Sequence, residues 1–417
     1  MRKIHVTIMV LIALCVCPIL ALAGDIATWK NSNGQPYLNV KAKDYEVLGK
    51  LEGQNLAPQI CYFKLLIMQK SLEVPGGYAQ MREWANLYGA GIPEKYIKEM
   101  QGMVDGIADV NCSLCASAGG IDYVDILLQN SFMDITYGLL YPMGSVSPET
   151  ETGMGCTIVG AVNTTDNDEE VSFGQTFDFN NELAPALSFV RTKVDGQPPH
   201  FSLRMGAVLS MPAGKNAYNV SFNVTVIRTK KFAEPWSSIF SGQSPPVVIP
   251  SGIFARMTIE EANTPDIAYD LLFSHPITAS YTVMIGKDSK LIAAQVLPTV
   301  GVDRVDVQDM AVLTNRYTIA EWESYLIDPL YSSERQAYAE MKLVEAYSDS
   351  ILTNEEMKSI LADESSSNYN EHICRTSPPN RSGTLAVITQ NAFGLRDCAA
   401  EQCFPQNLGV IPITLDP

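Results

Sequence analysis

The 417-residue sequence is poor in positive charge and in histidine. Lysine and arginine number 29 against 46 aspartates and glutamates, and the formal net charge is −17. Nucleic-acid binding depends on clustered positive charge, so this balance argues against a nucleic-acid partner. The total of four histidines argues against a histidine-rich metal site. The hydrophobic share of 46% and the charged share of 18% are globular values, which exclude a disordered or fibrous protein.

Several familiar enzyme motifs are also missing. The sequence contains no G-x-S-x-G nucleophile elbow, no G-x-x-x-x-G-K-[ST] phosphate loop and no G-x-G-x-x-G after a strand. Three histidines follow the first segment, His200, His275 and His372, and each fits a surface or core residue better than a catalytic base. The sequence therefore offers no serine triad and no nucleotide-binding signature.

The first 23 residues have the pattern of a signal peptide. A basic head, Arg2 and Lys3, precedes an apolar run over 6–23 that ends in small residues. The alternative is an uncleaved membrane anchor. No other stretch approaches about 18 uninterrupted apolar residues. We therefore expect a soluble protein that is secreted or luminal (extracellular, lysosomal or periplasmic) and has no stable membrane span after cleavage.

Cysteine usage fits an oxidising compartment. Seven cysteines follow the signal segment: Cys61, Cys112, Cys115, Cys156, Cys374, Cys398 and Cys403. An odd number leaves one thiol unpaired, and the six others than Cys156 can form up to three disulfides of open connectivity. The C-x-x-C spacing of Cys112 and Cys115 is compatible with zinc or redox chemistry, but no second ligand pair follows. Five sequons, at Asn111, Asn163, Asn219, Asn223 and Asn380, suit a secreted glycoprotein.

The hydrophobic periodicity of the sequence changes near residue 150. Residues 57–135 have helical periodicity, and a connector over 141–155, rich in proline, glycine, serine, threonine and glutamate, has an exposed and cleavable composition. Short β-branched and aromatic runs separated by turn residues follow from Cys156 onward. Two helices, over 258–273 with an interruption at Pro265 and over 333–347, lie among the strands. The order is typical of an α+β protein.

Cys156 stands where the connector ends and the first strand of the body begins. A thiol needs a base or a positive charge to become a nucleophile. The α-amino group of the cysteine itself, with a pKa of roughly 7.7–8.0, can serve once the preceding peptide bond is cut. Gly155 leaves its carbonyl accessible to attack. This is the arrangement of an N-terminal nucleophile hydrolase; the alternative is a buried strand cysteine, and position alone leaves both open.

Two motifs then resemble a known family. Gly155-Cys156-Thr157-Ile158-Val159 and the later Gly174-Gln175-Thr176-Phe177-Asp178-Phe179 resemble the signature of the acyl-coenzyme A:6-aminopenicillanic acid acyltransferase family. The lysosomal acid amidases and ceramidases have a related motif. The segments 96–106, 219–223, 313–317 and 372–375 are similar to further elements of the family, in the same order along the chain.

The resemblance implies a fold and a maturation step. The family has the four-layer αββα sandwich of N-terminal nucleophile hydrolases and is made as a proenzyme. Cleavage between Gly155 and Cys156 would give a small chain, the N-terminal helical segment 24–155, and a large chain, the strand-rich hydrolase body 156–417. The protein would then be two chains from one precursor.

The resemblance also implies roles for single residues. Cys156 is the nucleophile for self-cleavage and turnover, and Asp178 orients its amine. Asn315 and Asn223 donate side-chain N–H groups to the oxyanion, where one lost donor typically reduces the rate about 10²–10³-fold. Asn223 also lies in a sequon, and a glycan is incompatible with an oxyanion hole. Arg375 pairs with a carboxylate of the site or of the substrate. No metal or organic cofactor is implied.

The expected function is hydrolysis of a linear amide bond in a small-molecule acyl amide through a thioester acyl-enzyme. Penicillin-like amides, N-acyl amino acids, peptide-like amides and fatty-acyl amides all remain open as substrates. Met205, Phe222 and Tyr281 are candidates for lining an acyl pocket or for core packing. The alternatives are an acyl-coenzyme A-dependent N-acyltransferase, an inactive secreted glycoprotein that uses the fold for binding, and a thiol peptidase.

Overall fold

The structure is a computed structural model that describes residues 24–32, 35–145, 155–164, 169–327, 329–368, 371–374 and 382–388. Several features predicted from the sequence lie outside the described residues: the signal segment 1–23, most of the connector (146–154), Arg375, Asn380, Cys398 and Cys403. Among the described helices, none is both long enough and apolar enough to cross a bilayer.

Helices dominate the chain before the connector and recur after it. The earlier ones are α1 (Tyr45–Lys70), α2 (Gly77–Asn86), α3 (Glu94–Ala108), α4 (Ser113–Ser117) and α5 (Tyr123–Ile135). The later ones are α6 (Glu234–Phe240), α7 (Ser251–Glu261), α8 (Pro265–Phe273), α9 (Ala320–Glu323), α10 (Pro329–Ala346) and α11 (Asn354–Leu361). Pro265 starts α8 after a Thr264 cap, because proline needs no N–H partner in a first turn. The predicted interruption is confirmed.

Two β-sheets make up the rest of the fold. The larger has the spatial order β1 (Ile26–Ser32), β2 (Gln35–Ala42), β5 (Leu187–Val194), β6 (His200–Met205), β7 (Ala213–Asn216), β8 (Ser221–Val226), β9 (Tyr281–Lys287), β10 (Lys290–Leu297) and β11 (Gly301–Val307). The smaller has the order β12 (Met310–Thr314), β3 (Gly155–Thr164), β4 (Glu169–Asn180) and β13 (Ser382–Ile388). The α+β class is confirmed.

The segment before the connector is not purely helical. Its strands β1 and β2 form a hairpin, and β2 pairs in parallel with β5 from beyond Cys156, with Leu38 opposite Val190. The β1 sequence is largely exposed and polar, so hydrophobic alternation does not reveal it. The predicted segment 24–155 therefore contributes an edge of the large sheet as well as helices.

Alternating side chains place the small sheet between two different partners. Ile158 and Phe173 on one face meet Met284 and Leu291 of the large sheet in a buried apolar cluster. Residues on the other face, among them Val159, pack against α10 and α11. The opposite face of the large sheet contacts α1, α7 and α8. The core therefore continues from one set of helices through both sheets to the other.

Helices α1 and α3 approach each other to backbone contact. A Cβ atom built on Gly53 of α1 lies 2.2 Å from the Met103 carbonyl oxygen, and one built on Gly102 of α3 lies 2.2 Å from the Glu46 carbonyl oxygen. Such separations exclude any side chain, so glycine is required on both helices. The sequence carries these glycines in two G-x-x-x-G spacings, 49–53 and 102–106.

A buried charge cluster joins these helices to the body after Cys156. Arg204 Nη1 lies 2.7 Å from Glu52 Oε2, and Arg256 Nε lies 2.6 Å from Glu260 Oε1. Glu99 lies between the two guanidinium groups, 3.4 Å from Arg256 and 3.9 Å from Arg204, and all five side chains are inaccessible to solvent. Burial raises the pKa of Glu99 to about 8, against the opposing charge of Arg256. Its environment therefore favours the protonated form of Glu99.

We predict that Gly53→Ala or Gly102→Ala destabilises the protein by about 3 kcal/mol or more, since an added methyl group must force the helix backbones apart. Urea unfolding of the single chain in a Cys156→Ala background measures this. Gly89→Ala is the matched control, because a Cβ there meets only Leu127 Cδ2 at an ordinary 3.6 Å. Equal stability of the Gly53 and Gly89 variants would contradict the close packing.

Glu99 should also impose a pH dependence on folding. Its pKa is about 8 in the folded chain against an ordinary 4.5, so the folded state holds the extra proton between these values and stability falls as the pH rises through that window. Replacing Glu99 with Gln should remove up to about 1.4 kcal/mol of this loss per pH unit. Unfolding free energies at pH 5, 6.5 and 8 provide the test. Glu94→Gln, on the exposed start of α3, is the control and should keep the wild-type slope.

Candidate active site

Cys156 lies at the start of an interior strand. In β3 it pairs with Phe177 of β4, and the neighbouring Thr157 pairs with Thr314 of β12 on the other side. Its side chain is 2% exposed and belongs to an apolar cluster with Phe177, Phe189 and Ala213, so it points toward the large sheet. Pairing with β4, and with β12 from Thr157 onward, fixes the strand that carries the predicted nucleophile.

The backbone nitrogen of Cys156 is bound by Asn315. The Cys156 N–H donates to Asn315 Oδ1 over 2.5 Å, and Asn315 Nδ2 donates to the Val226 carbonyl oxygen over 2.7 Å. Asn315 is placed there because it directly follows β12, the strand beside β3. One amide N–H of Asn315 is engaged by Val226. An asparagine amide carries two, so the predicted oxyanion role requires the second.

Asp178 lies directly across from the predicted cleavage point. It pairs with Gly155 in the β3–β4 ladder and is buried. Because side chains alternate along a strand, its carboxylate lies on the sheet face opposite the Cys156 side chain. Its negative charge nevertheless acts on the thiol. The structure therefore brings Asp178 beside the backbone of Gly155 and Cys156.

The Cys156 thiol is protonated in the uncut chain. Burial, and next the negative charge of Asp178, raise its pKa to about 12. The positive charge of Arg335 and hydrogen bonds from the Asn315 and Gln175 side chains oppose this rise. None of these groups is a histidine. His275 lines a cavity, His200 lies in β6, and His372 Nε2 is 2.7 Å from the Ser366 carbonyl oxygen.

Asn223 is buried near the same site. It lies in β8 and pairs with Ala213, which packs against Cys156. Its Nδ2 and Oδ1 atoms have no hydrogen-bond partner among the described residues. A buried amide without partners is destabilising by about 1–3 kcal/mol, and such groups often serve a ligand. Its complete burial is incompatible with a glycan in the folded protein.

Arg335 is a site residue that the sequence did not reveal. It lies in α10, is fully buried, and directs Nη2 to Asn315 Oδ1 at 2.6 Å and to the Cys156 carbonyl oxygen at 3.3 Å. The family resemblance implies Arg375 as the arginine of the site, and Arg375 lies outside the described residues. The sequence does show an arginine on the helix predicted over 333–347. Helical periodicity, however, does not show which side of that helix faces the small sheet, so it does not place Arg335 at the site.

Two neighbouring apolar cavities lie near the site, and one of them reaches Cys156. The first touches Cys156 itself and is lined mainly by apolar side chains: Met133, Phe177, Leu187, Met205, Val208, Met211, Pro212, Val224 and Val226. The second shares four of these residues and extends to Phe254, Leu272, His275 and Tyr281. Met205 and Tyr281 line cavities as considered from the sequence. Phe222 lines neither and packs in the core with the helices.

The C-x-x-C cysteines do not pair with each other. Cys115 forms a disulfide with Cys61 of α1, and Cys112 remains a half-buried free thiol. The three sulfurs lie within 4.8 Å of one another. With two of them in a disulfide, the group does not offer three thiolate ligands to a metal. Cys156 is also a free thiol.

The fold and site define an α+β protein whose buried cysteine opens an interior strand. The family model described as acyl-coenzyme A:6-aminopenicillanic acid acyl-transferase matches residues 238–407, roughly two fifths of the chain, and confirms the resemblance to that family. The matched residues include Asn315 and Arg335 and begin after Cys156, Asp178 and Asn223.

Two further proteins are similar to this chain. An uncharacterized protein of Archaeoglobus fulgidus is 28% identical over 112 residues, which make up 26% of this chain and 18% of that protein. The chain thus matches less than a fifth of that relative's length. The structure of the Caenorhabditis elegans N-acylethanolamine-hydrolyzing acid amidase ortholog covers 62% of this chain and 100% of its own, with 14% identity and a TM-score of 0.42.

The burial pattern predicts which sequons accept a glycan. Asn111 and Asn219 are exposed, whereas Asn163 and Asn223 are buried, and Asn163 hydrogen-bonds Ser172. After secretion from a eukaryotic host, Asn111→Gln and Asn219→Gln should each remove a glycan mass that a peptide N-glycosidase also removes. Asn163→Gln should leave the glycan mass unchanged. Intact-mass spectrometry provides the readout, and a glycan on Asn223 of the folded protein would contradict the placement of β8.

Proposed function

We propose that this protein is an exported, self-processing cysteine N-terminal nucleophile hydrolase that cleaves linear amide bonds of apolar acyl amides. The observation that carries the proposal is the binding of the Cys156 nitrogen by Asn315 Oδ1 at the start of an interior strand. In this position the nitrogen lies next to its own thiol, in a site without a neighbouring histidine base among the described residues.

The layer order and the family match support the same assignment. The sequence of helices, large sheet, small sheet and helices corresponds to the αββα sandwich that we propose for this fold. Cys156, Asp178 and Asn315 lie around one backbone segment, as the proposed chemistry requires. The matched family is named for acyl transfer to an amine of a small molecule, which is a reaction at an acyl carbon.

Maturation begins with attack of Cys156 Sγ on the Gly155 carbonyl carbon. The sulfur–carbon bond forms, the carbon–nitrogen bond to Cys156 breaks, and the nitrogen takes a proton. Water then hydrolyses the Gly155 thioester and restores the thiol. The products are the chain that ends at Gly155 and the chain that begins at Cys156, now with a free α-amine.

Turnover repeats this chemistry on a substrate. The neutral α-amine takes the thiol proton, which overcomes the raised pKa of the buried thiol, and Cys156 Sγ attacks the amide carbonyl. The second N–H of Asn315 and the Asn223 amide stabilise the oxyanion. The ammonium returns its proton to the leaving amine as the carbon–nitrogen bond breaks. Water resolves the thioester and releases the acid.

The two cavities support an apolar acyl group. The first touches Cys156, and the second continues it past Met211 and Val224 to Leu272. Each methylene group buried in such a space contributes about 0.8 kcal/mol. An N-acyltransferase is the second candidate, because the description of the matched family names one. In that case an amine, and not water, resolves the thioester.

The proposal predicts two fragments from the wild-type chain, the larger beginning Cys-Thr-Ile-Val. Intact mass and N-terminal sequencing of purified wild type, Cys156→Ala and Cys112→Ala provide the test. The fragments should be absent in Cys156→Ala and present in Cys112→Ala, whose free thiol lies away from the site. An uncut wild-type chain across pH and reducing conditions would overturn the proposal.

The processed enzyme should then hydrolyse N-acyl p-nitroanilides with a preference for apolar acyl groups. Each added methylene group that enters the cavities should raise kcat/KM about 4-fold, from about 0.8 kcal/mol per group. Product acid and N-acylated acceptor, measured with and without an added amine, separate hydrolysis from transfer. A processed protein that cleaves none of the series would contradict the assigned substrate class.

A further inference from the structure

Arg335 has no role in the chemistry described above, yet it is one of the largest fully buried side chains of the described residues. Removing a guanidinium from water is destabilising by several kcal/mol unless fixed partners compensate. Its partners include two atoms at the nucleophile: Asn315 Oδ1 at 2.6 Å and the Cys156 carbonyl oxygen at 3.3 Å. Those contacts tie α10 to the start of β3.

The contact with Asn315 selects one orientation of its amide. Asn315 Oδ1 accepts from both the Cys156 N–H and Arg335 Nη2, while Nδ2 donates to the Val226 carbonyl oxygen. A flipped amide would place its NH₂ group against two donors and its oxygen against a carbonyl oxygen. Because Arg335 cannot act as an acceptor, it keeps the Asn315 oxygen directed at the Cys156 nitrogen.

The absence of a side chain at Gly155 makes room for this guanidinium. A Cβ built on Gly155 would lie 2.6 Å from Arg335 Nη1 and 3.0 Å from Cζ. Asp178 is the cross-strand partner of Gly155, and such pairs have Cβ positions about 4.5–5.5 Å apart. Arg335 and Asp178 therefore lie on the same face of the small sheet, beside Gly155.

We propose that Arg335 is a positioning residue that orients Asn315 toward the Cys156 nitrogen and keeps the freed α-amine neutral, so that this amine acts as the base. The inference rests on the proposed function. A positive charge beside an amine disfavours its ammonium form, and an opposite charge favours it. Among the described residues, the charged groups that act on Cys156 are Arg335 from α10 and Asp178 from β4. The other elements contribute neutral groups: Asn315 follows β12, and the large sheet contributes Asn223 and apolar side chains.

The pH dependence of kcat/KM separates this role from simple packing. In Arg335→Met the ammonium form should persist to higher pH, so the midpoint of the acidic limb should rise by about 1 unit. The rate at the optimum should fall roughly 10²-fold as Asn315 loses its fixed orientation. Arg335→Lys keeps the charge but not the planar fork, so its midpoint should stay near wild type while its rate falls about 10-fold. Arg316→Met is the matched control, since Arg316 pairs with Glu323 and should retain the wild-type profile.

The experiment measures self-cleavage of the full-length chain by gel time course and hydrolysis by the cleaved protein, each across pH 4–9. A folded Arg335→Met variant with wild-type rates and midpoint would overturn the role of Arg335 and leave the proposed function standing. An inactive, uncut wild type would instead overturn the proposed function. If Arg335→Met does not fold, Arg335→Lys decides: an unchanged midpoint with a slower rate supports the proposal, and a raised midpoint or an unchanged rate overturns it.

Discussion

The candidate site depends on the interior position of β3 in the small sheet. Strands β4 and β12 flank β3, and at Cys156 itself the N–H donates to Asn315 Oδ1 while the carbonyl oxygen accepts from Arg335 Nη2. The strand position and these side-chain contacts together fix the nucleophile. Strand β4 delivers Asp178, the end of β12 delivers Asn315, and α10 delivers Arg335. An edge strand would leave one of these sides open to water. The interior position therefore keeps the strand rigid and lets side chains from three different elements contact the same peptide unit.

The two faces of this strand separate the apolar and polar parts of the chemistry. The Cys156 side chain lies with Phe177 and Ala213 in the space between the sheets, which continues into the cavities. Asp178 and Arg335 lie on the face toward α10. The acyl group and the thiol can thus share a dry environment, while charges act on the adjacent nitrogen through the backbone. Period-2 alternation alone produces this division.

Local patterns predicted the parts of the site that lie close together in sequence. The connector, Gly155 and Cys156 stand out because turn chemistry and strand alternation act over short distances, whereas the role of Asp178 is implied by the family resemblance. The family resemblance pointed to Asn315, which the structure places on the Cys156 nitrogen. Arg335 was missed because it is 179 residues from Cys156, and nothing in a helical pattern names its distant partner.

Elements of the fold that depend on distant contacts were likewise not predicted from local sequence patterns. Short β-branched and aromatic runs predicted a strand-rich body after Cys156, whereas β7, with the sequence Ala-Gly-Lys-Asn, has no strand pattern of its own. The parallel pairing of β2 with β5 and the Cys61–Cys115 disulfide depend on tertiary contacts. The sequence left the disulfide connectivity open, and helix packing brings Cys61 to Cys115.

The buried charge cluster also has a consequence for assembly. Glu52 and Glu99 come from the segment before the connector, and Arg204, Arg256 and Glu260 come from the body after Cys156. Each part alone would bury charges without their counterparts, which is strongly unfavourable. Neither part can therefore complete its own core, and the two behave as complementary halves. Separately produced, they should gain tertiary structure only on mixing.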